Sequence, residues 1–231
     1  MQSSDCENCA IRSVALFGEI DEATVERLHH QAQQFDAPAG TELYTEGTPP
    51  DAAFTLREGV IKLVRGDGNG RPQIVRLLVR GEFFGAEGLF EELRHHSAIA
   101  LTPVVLCRLP NDLLQQLQTE EPGFTTALLG RWRRALNEVE DLAVELGTRK
   151  AEGRIASFLL HWETKNGHAI EWLPLPLSRT ELGELLGLRV ETVSRVMARW
   201  KREKLFEERG GHIRLLERDR LRAVLETDDA A

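Results

Sequence analysis

Ser178-Arg179-Thr180-Glu181-Leu182-Gly183-Glu184-Leu185-Leu186-Gly187-Leu188-Arg189-Val190-Glu191-Thr192-Val193-Ser194-Arg195-Val196-Met197-Ala198-Arg199-Trp200 is the stretch that decides how the chain is read. Ser178 followed three residues later by Glu181 is a capping box, which starts a short helix through Leu186. Gly187 supplies a turn, Leu188 packs inward, and Val190 to Trp200 forms a second helix. Helix, glycine turn, helix is the plan whose second helix enters the major groove of DNA. Glu191, Ser194 and Arg195 fall at i, i+3 and i+4, on one face at the start of that helix, with Val193, Val196 and Met197 on the core side. Arginine grips guanine O6 and N7, glutamate accepts from the paired cytosine N4, and serine meets a neighbouring base. These three are the candidate base readers. Ser178, Arg179, Thr180, Arg189, Thr192, Arg199, Lys201 and Arg202 are the candidate phosphate contacts, and Lys204 continues the basic strip. A solvated salt-bridge face explains Glu191 and Arg195 alone, but not the cap, turn and strip together. Further on, Gly210-Gly211 predicts a two-residue hairpin turn, hence a wing.

Charge supports this placement. The 231 residues carry a formal net charge of -8, which argues against indiscriminate coating of nucleic acid. Residues 1–148 hold 13 basic and 23 acidic side chains, whereas residues 149–231 hold 16 and 14. Arg189 to Lys204 alone holds six basic against two acidic residues. An acidic body with one basic strip is expected when a single domain meets a polyanion. With 42% hydrophobic residues the chain can bury a core. No secretory signal is read at the start, and the longest uncharged apolar stretch, Ser97 to Cys107, is short of the roughly 20 residues a membrane helix needs. Three cysteines do not make a disulfide framework. The expectation is a cytoplasmic protein with no membrane partner.

Upstream, Asp21 to Gln34 reads as an amphipathic helix (Val25, Leu28, Ala32) capped by Asp21. From Phe35 to Leu109, short apolar runs alternate with glycine turns: Glu42–Tyr44, Phe54–Leu56, Val60–Val64, Ile74–Val79 and Ile99–Cys107. That texture predicts an antiparallel sandwich or jelly roll. Gly123 to Gly147 holds no proline and repeats apolar residues at three- and four-residue steps, which predicts one long helix. Its near-heptad stripe, with Leu128, Trp132, Val139, Leu142 and Leu146 as the seam, asks for a second copy of the chain. A further helix spans Arg154–Trp162, and Leu173-Pro174-Leu175-Pro176-Leu177 breaks the chain. No enzyme is indicated: Gly66-x-Gly68-x-Gly70 lacks the helix and lysine of a phosphate-binding loop, and spacing singles out no catalytic triad.

Gly81-Glu82-Phe83-Phe84-Gly85, Thr148-Arg149-Lys150-Ala151-Glu152-Gly153-Arg154-Ile155 and Leu182 to Arg195 resemble the catabolite-activator/fumarate-nitrate regulator (CRP/FNR) family. The resemblance covers nearly the whole chain. It implies an α+β protein: a cysteine-bearing segment (1–20), a cyclic-nucleotide-binding-type β-roll (21–120), a dimerisation helix (121–147) and a winged helix-turn-helix (148–231). It further implies a homodimeric transcription factor, usually an activator that contacts RNA polymerase. Glu191-x-x-Ser194-Arg195 resembles the fumarate-nitrate branch, which reads TTGAT half-sites in palindromic operators. In cAMP-binding members a glutamate and an Arg-Ser pair hold the nucleotide. Ala86 and His96-Ser97 stand there in this chain, and histidine does not replace a bidentate phosphate clamp, so cAMP is not expected.

In the same branch Cys6, Cys9 and Cys107 match ligands of a [4Fe–4S] cluster, while Ala15 or Phe17 occupies the third N-terminal cysteine position. A cubane takes four ligands, and the fourth would be a carboxylate (Asp5, Glu19 or Asp21) or a labile ligand. A thiol/disulfide switch between Cys107 and Cys6 or Cys9 uses the same residues without a fourth ligand. The alternatives are structural cysteines with another effector (nitric oxide, a metabolite, or haem through His95, His96, His29 or His30) or none. A small-molecule-binding β-roll acting through protein contacts is the reading without DNA, and salt-dependent duplex binding separates the two.

Overall fold

The computed structural model describes residues 2–3, 31–66, 68, 72–90, 93–167 and 170–229. Cys6, Cys9, Asp21, His29 and His30 lie outside them. The chain divides into two compact units, residues 1–137 and 138–231. No helix among the described residues is long and apolar enough to cross a membrane.

The first unit is a roll of two antiparallel sheets. One has β1 (Gln2–Ser3), β2 (Gln33–Ala37), β9 (Val104–Pro110), β4 (Ala52–Glu58) and β7 (Phe83–Phe84) in that spatial order. The other orders β3 (Glu42–Tyr44), β8 (Ser97–Ala100), β5 (Ile61–Gly66) and β6 (Pro72–Leu78). Strand alternation turns Leu56, Ile61, Leu63, Leu78, Ala98 and Leu106 inward, where they are nearly solvent-free with Phe54, Phe84 and Tyr44. Two expectations from the sequence change here. Gln33 and Gln34 are strand, not the end of a helix, because their backbone groups pair with Arg108 and Cys107 of β9. The Ile99–Cys107 run is two strands in different sheets: β8 pairs with β5, β9 with β2 and β4. The break is fixed where Leu101 N donates to Val60 O (2.9 Å) and Val60 N donates to Thr102 Oγ1 (2.9 Å).

Helix α1 (Asn111–Glu120) and the start of α2 (Pro122–Thr148) close this unit. Leu113, Leu114, Leu117, Phe124, Ala127 and Leu128 pack with Ala53, Phe83 and Leu109. Leu128 is therefore a core residue, only 2% exposed, and not part of an exposed seam. Burying such a leucine contributes about 2 kcal/mol to this unit. The row on α2 that does face outward is Leu129, Trp132, Leu136 and Val139, all 40% exposed or more. Ala143 and Leu146 continue it at steps of four and three.

The second unit contains α3 (Ala151–Asn166), β10 (Leu173–Pro174), α4 (Arg179–Leu186), α5 (Val190–Arg202), β11 (Phe206–Arg209), β12 (His212–Leu215) and α6 (Arg218–Asp229). The Leu173–Leu177 break opens with strand β10, paired to β12 in a three-stranded sheet. Ile155, Ala156, Leu159 and Trp162 make the inner face of α3. Trp162 satisfies its indole by donating to Pro174 O (2.7 Å). Glu163 is 3% exposed, and Arg218 of α6 grips it with a two-pronged contact, Nε to Oε2 at 2.9 Å and Nη2 to Oε1 at 2.5 Å. A carboxylate that deep is tolerated only with such a partner.

Candidate nucleic-acid interface

The helix-turn-helix is built as the sequence requires. Ser178 caps α4: Glu181 N donates to Ser178 Oγ (3.1 Å) and Ser178 N donates to Glu181 Oε2 (2.8 Å). Gly187 ends the helix with φ +62°, a left-handed conformation that favours glycine. Leu188 N then donates to Gly183 O (3.0 Å). A Cβ on Gly183 would lie 2.6 Å from Leu188 O, so only glycine lets the turn fold back this closely. Val193, Val196, Met197 and Trp200 form the buried side of α5. Glu191, Ser194 and Arg195 are exposed on the other side, as are Arg189 and Val190, with Thr192 half-buried. Glu191 in the first turn is also favoured by the helix dipole. In the wing, Gly210 (φ +54°) and Gly211 (φ +75°) turn the chain between β11 and β12, and Arg209 pairs with His212.

The cations divide into two groups. Among the described residues Arg189, Arg195 and Arg202 have no ion-pair partner. Arg179 donates to Glu208 (2.6 Å), and Lys201 Nζ lies 3.9 Å from the same carboxylate oxygen. Arg199 is hydrogen-bonded to Glu152 and lies 3.8 Å from Glu203. The Glu152 hydrogen bond holds the Arg199 guanidinium above its ordinary pKa. Ser178 and Thr180 are exposed at the start of α4, although the Ser178 hydroxyl is engaged in the cap. Glu203 lies four residues after Arg199 and is legible from spacing, but the sequence gives no signal for Glu152 and Glu208, which come from other elements.

One residue that spacing did not single out holds the unit together. Arg154 donates from Nη2 to Leu146 O (2.7 Å), from Nε to Arg149 O (2.9 Å) and from Nη1 to Leu186 O (3.1 Å). Leu146 is in the last turn of α2 and Leu186 ends α4, so one guanidinium caps both helices.

Comparison with known proteins agrees with this architecture. Residues 34–121 match the cyclic nucleotide-binding domain model, and residues 153–224 match the Crp-like helix-turn-helix domain model. The chain is 29% identical over 223 residues to the nitrogen fixation regulation protein FixK of Bradyrhizobium diazoefficiens, covering 95% of this chain and 93% of that one. It belongs to the CRP/FNR family. It falls in the FNR-like branch and is 26% identical over 220 residues to the transcriptional activator protein FnrA of Stutzerimonas stutzeri, covering 94% of this chain and 90% of that one. The structure of FixK2 from Bradyrhizobium japonicum matches with a TM-score of 0.77 at 26% identity, covering 84% of this chain and 96% of that one. The chain is thus a CRP/FNR-type transcription regulator with a helix-turn-helix for DNA, not an enzyme.

The roll also holds a cavity with its own chemistry. Leu63, Phe83, Phe84, Phe90 and Trp132 line a cavity with Arg76, Glu87 and His96. His96 Nε2 lies 2.9 Å from Tyr44 Oη and 3.4 Å from Glu87. Burial pulls the His96 pKa below its ordinary value, against the opposing pull of Glu87, and holds the Tyr44 hydroxyl far above its own. The Arg94 side chain, 1% exposed, lies over the Tyr44 ring and donates to Ala52 O (2.9 Å) and Asp51 (3.2 Å). Cys107 is half-buried in the middle of β9, not at its end as expected, between Gln34 and Thr55. Among the described residues no three histidine, cysteine or acidic side chains gather as a metal site.

Proposed function

We propose that this CRP/FNR regulator is a homodimeric activator of transcription that reads TTGAT-like palindromic half-sites with Glu191, Ser194 and Arg195, in answer to a redox signal taken at Cys107. The observation that carries the DNA reading is the exposed Arg195, without an ion-pair partner among the described residues, beside Ser194 and Glu191 on a helix whose other side is wholly buried. Arginine committed to no carboxylate is available for guanine. The dimer rests on the outward row Leu129, Trp132, Leu136, Val139, Ala143 and Leu146, a heptad stripe that water leaves costly until a second copy covers it. Its two-fold symmetry would match a palindromic operator. An activator of this kind would act in the cytoplasm and touch RNA polymerase as well as DNA.

Cyclic AMP does not suit the cavity. His96, whose pKa burial lowers, stands where the family resemblance puts the arginine of the phosphate clamp, and Glu87 lies 3.4 Å from it. A match to the nucleotide-binding model therefore speaks for the fold of the roll. His96 is also turned onto Tyr44, which weighs against its serving as a haem ligand.

The redox reading is supported by sheet register. Gln2 of β1 pairs with Gln34 of β2, and Gln34 pairs with Cys107 of β9. Two strand steps separate Gln2 from Cys107, about 10 Å. Cys6 follows four residues later, a reach of up to about 14 Å. With three cysteines the chain is one thiolate short of a cubane's four, so no step is routed through a cluster. Joining Cys107 to Cys6 or Cys9 releases two protons and two electrons to an oxidant such as oxygen or peroxide. The test is operator affinity of wild type and Cys107→Ala, prepared without oxygen and again after air, with iron and sulfide counted. Only wild type should respond, without iron. Identical behaviour of both proteins would make the cysteines structural, and stoichiometric iron would move the reading to a cluster.

A further inference from the structure

We propose that Glu208, on the first strand of the wing, is a specificity-determining positioning residue: its carboxylate holds Arg179 and attracts Lys201, so that their phosphate contacts form in the operator register and not on arbitrary duplex. The inference rests on the reading of Arg179 and Lys201 as phosphate contacts.

The geometry carries the argument. Arg179 is the first residue of α4 and Lys201 lies in the last turn of α5, so the two cations sit at opposite ends of the helix-turn-helix. Glu208 Oε2 takes both, at 2.6 Å from Arg179 and 3.9 Å from Lys201. The Glu208 and Arg179 side chains are each 28% exposed, so the pair is ordered by its surroundings and still open on one side. One guanidinium nitrogen is spent on Glu208, and the remaining donors of the fork keep a fixed direction. Arg195 and Arg189, in contrast, have no carboxylate partner among the described residues. Three of the candidate phosphate contacts, Arg179, Arg199 and Lys201, thus carry a carboxylate neighbour, while the candidate base reader Arg195 has none among the described residues.

Binding to arbitrary duplex depends on mobile lysine and arginine heads that follow whatever phosphates are near. Arg179, tethered by Glu208, cannot follow them, and the more exposed Lys201, 3.9 Å from the same oxygen, is drawn the same way by charge alone. In the operator register, set by base contacts, the same tether presents the remaining donors without further ordering. The net effect is loss of non-specific affinity with little loss on the operator.

The experiment uses the full-length dimer with Glu208→Gln, which keeps size and removes charge. Affinities for a TTGAT palindrome and for a random duplex of equal length are measured across a salt series. Freed exposed pairs of this kind, counted over two protomers, should raise random-duplex affinity about 2- to 30-fold. The slope of log K against log salt on random duplex should steepen by up to about 2 per protomer, one unit per phosphate gained. Operator affinity should change less than twofold, so the ratio falls. Arg179→Gln/Lys201→Gln is the complement and does not depend on how Glu208→Gln folds. It should weaken the operator complex by more than the random one. Equal gains on both duplexes, or an unchanged slope, would overturn the role of Glu208, as would equal losses in the complement. Wild type with no salt-dependent duplex binding would instead overturn the phosphate reading itself.

Discussion

Replacing Arg154 with methionine keeps the apolar stem and removes the guanidinium that serves Leu146 O, Arg149 O and Leu186 O at 2.7, 2.9 and 3.1 Å. A hydrogen bond from a charged donor contributes about 1.5–3 kcal/mol. Arg154 is half-buried, so water can reach part of the vacated space, and the low end applies to each bond. Three bonds at that low end sum to about 4–5 kcal/mol, which is the loss expected of the variant. Arg154→Lys should still lose about 1–2 kcal/mol, because one ammonium cannot span three carbonyls on three segments. Urea unfolding followed by tryptophan fluorescence suits the question, since Trp162 and Trp200 are buried in the same unit. Operator affinity should fall by more than the unfolded fraction explains, because Leu186 O immediately precedes the Gly187 turn. A methionine variant within about 0.5 kcal/mol of wild type, with intact operator binding, would show that the three carbonyls do not depend on Arg154.

Leu136→Glu with Val139→Glu places two charges on the outward row of α2 and should give a folded monomer with poor operator affinity; sedimentation that still shows a dimer would remove this face as the seam. Arg218→Met leaves the Glu163 carboxylate without its partner. Because Arg218 is itself 42% exposed, the cost should be about 2–3 kcal/mol, below the range for a fully buried pair, with Glu163→Gln in the same chain recovering part of it in urea unfolding. His96 gives a pH effect whose sign follows from burial lowering its pKa, with Glu87, Arg94, Arg76, Tyr44 and His95 as the groups around it. Its folded value lies below 6.5, so its contribution is intact above pH 6.5 and is lost as the pH falls through the folded value. Wild type should lose more melting temperature between pH 7.5 and 5.5 than His96→Gln; equal losses would contradict the assignment.

Local chemistry made the DNA-binding half legible. The Ser178/Glu181 box, Gly187 and Gly210-Gly211 each fix a turn through a few adjacent residues, and the structure has all of them in place. The roll was legible as a texture of strands, but not in its pairing, which is decided between distant segments. Gln33–Gln34 read as helix because Ala32 completes a three-residue apolar spacing, yet β9 needed a neighbour on that side. Leu128 and Leu129 both suit a stripe; which one turns outward depends on Ala53, Phe83 and Leu109, far away in sequence. The Arg154 capping and the Glu208 ion pairs were invisible for the same reason, since a charged side chain announces no partner from another element.

If α5 reads sequence through Arg195, operator affinities of wild type and Arg195→Ala will show it. Three duplexes are needed: the TTGAT palindrome, the same palindrome with the G·C pair of each half-site replaced by A·T, and random sequence. On the palindrome the variant should lose about 1–3 kcal/mol per half-site. On the substituted palindrome it should bind as wild type does, and random duplex should barely distinguish the two. Equal losses on all three duplexes would show that Arg195 contributes only charge and reads no base.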